Sequence, residues 1–420
     1  METVKQSLWR RLSLALYKRL DLIGDQRLLI GENGPPVRNA PAPLPALLRF
    51  VRSRLKSKSK TPSGSTVQAF RQRVNQAVSQ MGDAVKACNW VEVPAGLAQW
   101  QTTGIHMPAG SELTLLAQGM LYISKPLDVG IGPSVGLWYR IGQGAINKLP
   151  RDATVIRADE AGELEFMAAL PGEFSDPAGS FETSVPRKPM SGEYTVAVIA
   201  WQLSTAHGLS IASRQDQALF QPVMQAYEAP VKPPQGWRYL WRIGEGEVFR
   251  TCEHDDGNAL CCHTHGDVGI LQYPLDHAFS ADLTLRWSWL MEQLPSALPE
   301  HIQPTHDYMS IAVEFDNGLD LTYFWSAELP VDTIFQCPLP WWDQRETHWV
   351  LRSGRQGLGE WQSEERNLYA DYQRAISGPL PERVVAVWLI ANSAFQRGQG
   401  DCRYRSISVS SNGSTTMVQG

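Results

Sequence analysis

Short runs in which apolar and polar residues alternate fill the chain from about Val91 onward. Glycine and proline separate these runs, which is typical of an all-β sandwich. The pattern before the middle of the chain predicts strands at residues 113–117, 137–141, 164–168 and 194–201. The pattern after it predicts one helix near 364–375 and strands at residues 238–251, 259–264, 283–290, 308–316, 319–326, 347–352 and 384–391.

A proline-rich segment near Ala229, with the sequence APVKPPQG, divides this region in two. The chain has 420 residues, which exceeds the size at which a single hydrophobic core stops growing. We therefore expect one β-sandwich over residues 89–228 and a second, jelly-roll-like β-sandwich over residues 236–410. Residues 411–420 are expected to form a disordered tail.

Residues 1–88 differ from the rest in pattern and in charge, and we interpret them as a basic helical leader and linker. Leucine and valine recur every four positions over residues 3–23, which predicts an amphipathic helix that includes Trp9. A lysine- and serine-rich linker and a second helix, over about residues 67–87, follow. Residues 1–60 carry 13 Lys and Arg against 4 Asp and Glu, whereas the remainder is acidic.

This charge distribution limits the partners that we expect. An acidic body argues against nucleic acid, because such binding needs a basic surface that displaces phosphate counterions. Residues 1–60 instead suit peripheral contact with an anionic membrane surface or a protein partner. No window is apolar for long enough to span a membrane, the N-terminus shows no secretory signal, and the cysteines are sparse. We therefore expect a cytoplasmic protein with an optional peripheral membrane contact.

Residues 90–202 contain several motifs that carry a family resemblance. These motifs are Trp100 with Gly104, Arg140-Ile141-Gly142, Leu170-Pro171-Gly172 and Gly179-Ser180-Phe181. In them the chain resembles the galactose-binding, calcium-dependent lectins of bacteria, small β-sandwiches whose calcium ion contacts two sugar hydroxyls. The resemblance implies the lectin fold, a glycan ligand and calcium as a cofactor.

The calcium site that this resemblance implies is degenerate in this sequence. The family's calcium loop supplies an Asn-Asp pair and consecutive Asn residues, where this chain has Ala168-Ala169 and Asp176-Pro177. Calcium needs six to eight oxygen ligands, and alanine and proline bring none beyond their backbone carbonyls. Three acidic residues remain as a different candidate site, namely Asp159, Glu173 and Asp176.

The second domain carries a separate resemblance in five segments. They are Leu285 to Trp289, Ile311 to Ser326, Val350 to Gly354, Glu364 to Tyr372 and Val384 to Asn392. Over residues 236–408 the chain resembles a bacterial family catalogued as domain of unknown function 3047. The resemblance implies a jelly-roll-like sandwich and brings no known activity with it.

A cluster of cysteine and histidine predicts a metal site near residue 257. Asp256-Gly257 is a strong signal for a two-residue hairpin turn, which would pair His254 with Ala259 and Cys252 with Cys261. Side chains alternate between faces along a strand, so one face of this hairpin would collect the candidate ligands. These ligands are Cys252, His254, Cys261, His263 and His265. Thiolate with imidazole is the ligand set of zinc.

The hairpin of residues 310–326 is the candidate carbohydrate cleft. A two-residue turn at Asn317-Gly318 would pair Asp316 with Leu319 and Glu314 with Leu321. One face would then hold the apolar core, and the other would expose the polar and aromatic residues of the strands. That second face would present Ser310, Glu314, Asp316, Tyr323 and Trp325. Aromatic rings that stack on sugar C–H groups, with carboxylates that accept hydroxyl hydrogen bonds, suit a carbohydrate.

A third group of residues lies in the segment from Pro340 to His348 and in the strand that follows. Trp341 and Trp342 are candidate ligand-binding residues, and the strand would place His348, Val350 and Arg352 on one side. Two enzymatic interpretations use these residues and the hairpin. A glycoside hydrolase would use Glu314 and Asp316 as its paired carboxyl groups, whereas a lyase would use His348 or Tyr323 as the base and Arg352 to steady an acidic sugar.

Three classes of function therefore stay open. The sequence favours the binding of a polyhydroxylated ligand, most simply a carbohydrate, in a cleft of the second sandwich. The alternatives are a carbohydrate-active hydrolase or lyase built on the residues just named, and a membrane-surface or interaction protein that acts through its N-terminal helix.

Overall fold

The structure is a computed structural model that describes residues 39–58, 66–183, 190–254 and 257–419. The amphipathic helix expected over residues 3–23, with Trp9, lies outside the described residues. The described part has six α-helices and two short 3₁₀ helices, Gly82–Ala84 and Gln303–Thr305. The α-helices are α1 (Pro43–Lys58), α2 (Val67–Met81), α3 (Pro133–Gly136), α4 (Thr205–Gln215), α5 (Gln217–Glu228) and α6 (Leu368–Ala375). Among the described residues, no helix has both the length and the apolar character needed to cross a bilayer.

The first domain is a β-sandwich, as the alternating pattern predicts. Its strands are β1 (Val85–Pro94), β2 (Gln101–Met107), β3 (Glu112–Ser124), β4 (Val129–Ile131), β5 (Leu137–Ile141), β6 (Asn147–Lys148), β7 (Ala153–Arg157), β8 (Gly162–Ala168) and β9 (Ser191–Trp201). One sheet has the order β1-β9-β3-β4, with β7 also paired to β3, and the other has the order β2-β8-β5-β6. Leu115, Leu137, Phe166 and Val196 are fully buried in the core between these sheets.

The second domain consists of two larger sheets. Its strands are β10 (Arg238–Tyr239), β11 (Phe249–His254), β12 (Gly257–His265), β13 (Val268–Ala278), β14 (Thr284–Gln293), β15 (Tyr308–Phe315), β16 (Asp320–Ser326), β17 (Ile334–Gln336), β18 (Glu346–Ser353), β19 (Trp361–Asn367), β20 (Arg383–Asn392), β21 (Gln399–Ser411) and β22 (Ser414–Gln419). The seven-stranded sheet has the order β10-β13-β20-β15-β16-β18-β17. The six-stranded sheet has the order β11-β12-β21-β14-β19, with β22 paired to β21.

The C-terminal residues are ordered, so the prediction of a disordered tail over 411–420 is wrong. Strand β22 pairs antiparallel with β21, and Val418 is buried in the core. Asn412 and Gly413, which connect the two strands, both have positive φ. An Asn-Gly pair is the sequence that a two-residue turn of this kind requires, so the turn signal was present in the sequence.

The two helices before β1 pack on the body of the protein. The α1 side chains of Leu47 and Phe50 are buried in an apolar cluster that also includes Ile302 and Phe395 of the second domain. Arg49 of the same helix donates two hydrogen bonds to the Glu328 carboxylate, at 2.5 and 2.6 Å. Helix α2 buries Phe70, Val74 and Ala77 against α4 and α5 of the first domain. Residues 43–58 therefore join the two domains.

Large aromatic residues fill the space between the two sheets of the second domain. Trp287 and Trp289 of β14 project from the six-stranded sheet, and Tyr323 and Trp325 of β16 project from the seven-stranded sheet. The Trp287 and Tyr323 rings stack with centroids 5.7 Å apart. Two of the buried polar atoms have partners at the edge of this core: the Tyr323 hydroxyl donates to Asp371 at 2.6 Å, and Trp325 Nε1 donates to the Gly354 carbonyl at 2.9 Å.

The sequence-based pairing of the β15–β16 hairpin is therefore wrong by one residue. The structure pairs Glu314 with Asp320 and closes the hairpin with a three-residue turn, Asp316 to Gly318. The Gly318 N–H donates to the Phe315 carbonyl at 3.0 Å, and Gly318 has φ +79°, as a three-residue hairpin turn with a bulge requires. Because side chains alternate, one residue of slip moves Tyr323 and Trp325 from the ligand face to the core.

The burial of Trp325 gives a test of this pairing. Trp325→Ala should lower the free energy of unfolding of the second domain by about 3–5 kcal/mol, the usual cost of truncating a fully buried tryptophan. Urea-induced unfolding of the full chain measures it. Trp361→Ala, at a half-buried position on β19, is the matched control and should cost less than half as much. A loss below 1 kcal/mol for Trp325→Ala would show that the side chain does not lie in the core.

Candidate functional site

Three acidic residues lie side by side on the face of the seven-stranded sheet that points away from the six-stranded sheet. We call this the outer face. Glu314 of β15 pairs with Asp320 of β16, and Asp320 pairs with Glu346 of β18. Directly paired residues have their Cβ atoms about 5 Å apart and project to the same side. The three acidic residues, which we call the acidic row, therefore share one face of three neighbouring strands.

Arg345 connects the acidic row to its surroundings. Its Nη2 donates to Glu314 Oε1 at 3.3 Å, and its Nε lies 4.0 Å from Asp320 Oδ2. The guanidinium carbon stands 5.4 Å from the Trp342 ring centroid and 5.5 Å from that of Trp388. Contacts of this kind between a guanidinium and an indole are attractive and hold the cation in place. Arg345 is therefore preorganised beside the acids.

Burial changes the charge of the acidic row. It raises the pKa of Asp320 well above its ordinary value, and the neighbouring Glu346 charge raises it further. Burial also raises the pKa of Glu346 to about 7, although a hydrogen bond with Cys337 and the charge of Arg345 oppose this shift. Groups with shifted pKa values concentrate at functional sites, which makes the acidic row a candidate site.

The acidic row is accessible at one end. The Glu314 and Arg345 side chains keep 17% and 21% of their surfaces exposed, whereas Asp320 is completely buried. The Gln272 amide of β13 lies at this end and donates to Glu314 Oε2 at 3.0 Å. Asp320 Oδ2 and Arg345 Nε have no hydrogen-bond partner in the described part of the chain.

His348 lies on the outer face next to the acidic row, but Arg352 does not join it. His348 is fully buried among the rings of Tyr308, Phe324 and Phe335. The pairing of β16 with β18 shifts between Phe324 and Trp325, so that Arg352 stands opposite the core residue Trp325. The prediction that His348 and Arg352 share a side is therefore wrong.

Arg352 has its own partners instead. Its Nε donates to Glu364 at 2.5 Å, and its guanidinium lies 5.6 Å from the Trp325 ring centroid. Asp316 is also separate from the acidic row, because it belongs to the turn after β15. Its carboxylate accepts a hydrogen bond from the Glu382 backbone N–H at 3.1 Å. Asp316 therefore has a different partner from those of Glu314, which are Gln272 and Arg345.

The two tryptophans before β18 have different surroundings. Trp342 is buried, and its indole lies so close to Gly172 of the first domain that a Cβ there would stand 2.7 Å from Nε1. The Gly172 N–H also donates to the Arg242 carbonyl of the second domain at 3.1 Å. Trp341 is only half-buried and has φ +68°. Trp342 therefore joins the domains and positions Arg345, while Trp341 presents part of its ring to the surface.

The loop that resembles the lectin calcium loop is used for packing and turn formation. Glu173 is buried and accepts a hydrogen bond from the Leu170 N–H at 3.2 Å. Asp176 is half-buried and accepts from the N–H groups of Ala178 and Ser180, and hydrogen bonds from the Ser180 side chain and from these N–H groups lower its pKa. Asp159 is exposed on a separate turn. Within the residues that the structure describes, these three acids do not form a cluster of metal-ligand geometry.

The cysteine and histidine hairpin also differs from its prediction. It pairs Cys252 with Ala259 rather than with Cys261, and Cys252 and Cys261 form a diagonal disulfide with Cα atoms 5.8 Å apart. Two sulfur atoms bonded to each other offer no thiolate to zinc, so the prediction that both are metal ligands is wrong for this state.

Strands β11 and β12 of that hairpin carry the three histidines that were predicted as metal ligands. His263 is exposed and lies 2.6 Å from Asp401 through Nδ1, and His265 is exposed. The backbone of His254 pairs with Gly257, and its side chain lies outside the described residues. The face that these residues share is open to solvent.

Sequence reasoning missed Asp320, Arg345 and Glu346. A signal for Glu346 was present, since it stands two positions before His348 and must share its face in a strand. Asp320 was hidden by the assumed two-residue turn, which placed it with the core. No local signal could have found Arg345, because its role depends on the parallel pairing of β16 with β18.

Glu300 joins the segment before β15 to the end of β16. Its completely buried carboxyl group accepts hydrogen bonds from Ser326 Oγ and from the Ala327 N–H, the latter at 2.7 Å. Its backbone carbonyl lies 2.6 Å from His306 Nδ1. Burial raises the pKa of the Glu300 carboxyl to about 8, so that it carries a proton at neutral pH.

Comparison with known families supports one of the two resemblances. Residues 236–408 match the model of the family described as "Protein of unknown function (DUF3047)". This confirms the resemblance predicted for the second domain. The resemblance of residues 90–202 to calcium-dependent lectins stays a prediction. No curated protein matches the chain.

Several solved structures are similar to parts of the chain. The xyloglucanase domain of NopAA, a type three effector from Sinorhizobium fredii in complex with cellobiose, is 9% identical with a TM-score of 0.27, over 44% of this chain and 97% of that chain. A family 11 carbohydrate-binding module from Clostridium thermocellum, in complex with a mixed-linked tetrasaccharide, is 14% identical with a TM-score of 0.23, over 42% and 90%. The module TmCBM61, in complex with β-1,4-galactotriose, is 9% identical with a TM-score of 0.22, over 44% and 92%. TM-scores this low carry no argument about the ligand of this chain.

The raised pKa of Glu300 predicts a specific dependence of stability on pH. The folded chain holds this proton more tightly than the unfolded chain, so the stabilising contribution is fully present below about pH 4.5 and is lost as the pH rises to about 8. Glu300→Gln keeps an acceptor for Ala327 and removes the titration. Between about pH 4.5 and pH 8, the free energy of unfolding of Glu300→Gln should therefore rise relative to that of the native chain, by up to about 1.4 kcal/mol for each pH unit.

Urea-induced unfolding at several pH values measures this difference. Glu328→Gln is the matched control, because Arg49 lowers the pKa of the Glu328 carboxyl and the sign of its contribution is opposite. A stability difference between Glu300→Gln and the native chain that stays constant from pH 5 to 8 would contradict the account of Glu300 as a buried, protonated acid.

Proposed function

We propose that the outer face of the second domain binds a polyhydroxylated ligand, with carbohydrate as the ligand class, at the accessible end of the acidic row. The contact residues are Glu314, Arg345 and Gln272, and Asp320 lies behind them. Trp341 offers a half-buried indole in the turn that carries Arg345.

One observation carries this proposal. Asp320 Oδ2 and Arg345 Nε lie 4.0 Å apart, and neither has a hydrogen-bond partner among the described residues. A hydroxyl group is both a donor and an acceptor, so a single sugar hydroxyl can donate to Asp320 while it accepts from Arg345. Such a bond to a charged group contributes about 1.5–3 kcal/mol, and an unsatisfied buried group costs a comparable amount.

The neighbouring groups extend the same chemistry. Glu314 accepts hydrogen bonds from both Arg345 and Gln272, so its two oxygens are fixed in position before a ligand arrives. Trp342 and Trp388 hold the Arg345 guanidinium between them. Groups that are already ordered lose little entropy on binding, which favours affinity for a ligand with many weak contacts.

Binding fits this geometry better than hydrolysis does. A glycosidase needs two carboxyl groups that flank the scissile bond, whereas Asp316 lies in the turn after β15 and accepts a hydrogen bond from the Glu382 N–H. The acid beside Glu314 is Asp320, whose side chain is completely buried behind Arg345. The proposed lyase pairing of His348 with Arg352 is likewise split between two faces of the sheet.

A titration with sugars tests the proposal. We expect the full chain to bind at least one member of a panel of soluble β-linked gluco-, galacto- and xylo-oligosaccharides in isothermal titration calorimetry. Glu314→Gln and Arg345→Met should each weaken that binding about tenfold or more, because each removes a charge-assisted hydrogen bond worth at least about 1.4 kcal/mol. Chromatography of the bound sugar should show no shortening.

Glu365→Gln is the matched control. Glu365 also pairs with an arginine, Arg286, at 3.0 Å, but on the six-stranded sheet, so this variant should bind as the native chain does. Equal affinity in the native chain and in both outer-face variants would contradict the site, and so would the absence of binding to the whole panel. Shortening of the sugar that Glu314→Gln abolishes would establish the hydrolase in place of the binding protein.

A further inference from the structure

Three side chains that metals favour meet in the interior of the second domain. They are His306, Cys337 and His348, and their candidate ligand atoms all lie within 4.8 Å of one another. All three residues are completely buried. In the described part of the chain, no other group of at least three histidine, cysteine or acidic residues comes together in this way.

Three separate parts of the fold bring these residues together. Cys337 follows β17 directly, and its N–H donates to the Glu346 carbonyl at 3.0 Å. The pairing of β17 with β18 sets Phe335 against His348. His306 follows the 3₁₀ helix Gln303–Thr305, and its backbone carbonyl accepts from Asn392 Nδ2 at 2.7 Å. Backbone hydrogen bonds therefore fix the position of each side chain independently of the others.

The tautomer of His306 suits a metal ligand. Its Nδ1 lies 2.6 Å from the Glu300 carbonyl oxygen, so Nδ1 carries the hydrogen and donates it. The lone pair is then on Nε2, which faces Cys337 Sγ at 3.5 Å. Histidines that bind metals almost always donate their other ring N–H to a carbonyl or carboxylate in this way.

His348 provides an independent observation. Both of its ring nitrogens lack a hydrogen-bond partner within the described residues, although the side chain is completely buried. The Phe335 ring stacks on the imidazole at 5.1 Å, and the Tyr308 ring stands edge-on at 5.0 Å. Buried polar groups in proteins are nearly always satisfied, and these aromatic neighbours cannot satisfy an imidazole. A metal ion is a partner that one of these two ring nitrogens could bind.

We propose that His306 Nε2, Cys337 Sγ and one ring nitrogen of His348 bind a single zinc ion, which ties the segment before β15 to strands β17 and β18. Zinc binds sulfur at about 2.3 Å and imidazole nitrogen at about 2.0–2.1 Å in a tetrahedral arrangement. These bond lengths place a sulfur and a nitrogen ligand about 3.5 Å apart, which is the separation of Cys337 Sγ from His306 Nε2. Cys337 binds as the thiolate and releases one proton to solvent for each ion bound.

The other buried cysteines show that this arrangement is specific. Cys262 Sγ lies 3.7 Å from the Met309 sulfur, and Cys402 Sγ lies 3.6 Å from the Arg403 carbonyl. Both thiols have ordinary contacts of buried cysteine, and neither belongs to a cluster with histidine. They provide matched controls for Cys337.

Metal analysis of the full chain tests the proposal. The chain is produced in medium with added zinc, purified without chelator, and analysed by inductively coupled plasma mass spectrometry. We expect about one zinc per chain. Cys337→Ser and His348→Phe should each reduce the zinc content at least fivefold, whereas Cys262→Ser should leave it unchanged. A Cys252→Ser, Cys261→Ser double variant should also keep its zinc, which separates this site from the exposed hairpin.

A second measurement on the unaltered chain applies even where a variant fails to fold. After removal of zinc with a chelator, addition of Co²⁺ alone should produce a sulfur-to-cobalt charge-transfer band and tetrahedral absorption, which saturate at one equivalent. Native chain that holds no zinc and gives no such band would overturn the proposal. Unchanged zinc content in a folded Cys337→Ser protein, or loss of zinc in the Cys252→Ser, Cys261→Ser double variant alone, would overturn it as well.

Discussion

The alternation of side chains along the β15–β16 hairpin is the constraint on which the rest of the second domain depends. Strand side chains have a period of two, so a shift of one residue moves every side chain of a strand to the opposite face. The three-residue turn from Asp316 to Gly318 sets this phase. It directs Tyr323 and Trp325 into the core and leaves Glu314 and Asp320 together on the outer face. Both the packing and the candidate ligand site follow from that one turn.

The packing explains why so many aromatic residues belong to the core and not to a ligand surface. Two sheets packed face to face stand about 10 Å apart, and large rings fill that distance with few residues. Trp287, Trp289, Tyr323 and Trp325 interdigitate there. The polar atoms of Trp289, Tyr323 and Trp325 have hydrogen-bond partners at the margins of the core. An abundance of tryptophan in the sequence is equally compatible with stacking on sugars, so composition alone could not decide between the two roles.

Much of the fold could be predicted from local pattern. The alternating runs predicted an all-β chain of sandwich-like sheets, and most strands occur close to their expected positions. The errors concern register. An Asn-Gly pair fits both a two-residue turn and the last positions of a three-residue turn, so it does not fix the pairing of β15 with β16. The bulge that turns Arg352 towards Trp325 has no recognisable sequence signal.

The candidate sites were harder to predict because they are assembled across strands. Glu314 was found from its own hairpin, but Arg345 and Glu346 join it only through the parallel pairing of β16 with β18. His306 and Cys337 were not singled out at all, since no short motif connects them to His348. In contrast, the dense cysteine and histidine hairpin attracted the metal prediction, although its two cysteines bond to each other and its described histidines lie open to solvent.

The most direct test of the central claim is to delete Asp316 and measure the stability of the second domain together with its near-ultraviolet circular dichroism. In the observed register the deletion leaves Phe315 opposite Leu319, joined by Asn317-Gly318, so the phase of both strands is retained. We therefore expect a folded domain with an unchanged aromatic spectrum and a loss of about 1–3 kcal/mol in its free energy of unfolding, from the two hydrogen bonds that Asp316 makes. Loss of the aromatic spectrum and unfolding of the domain would show that the deletion had moved the side chains of one strand to the opposite face. That result would contradict a three-residue turn from Asp316 to Gly318.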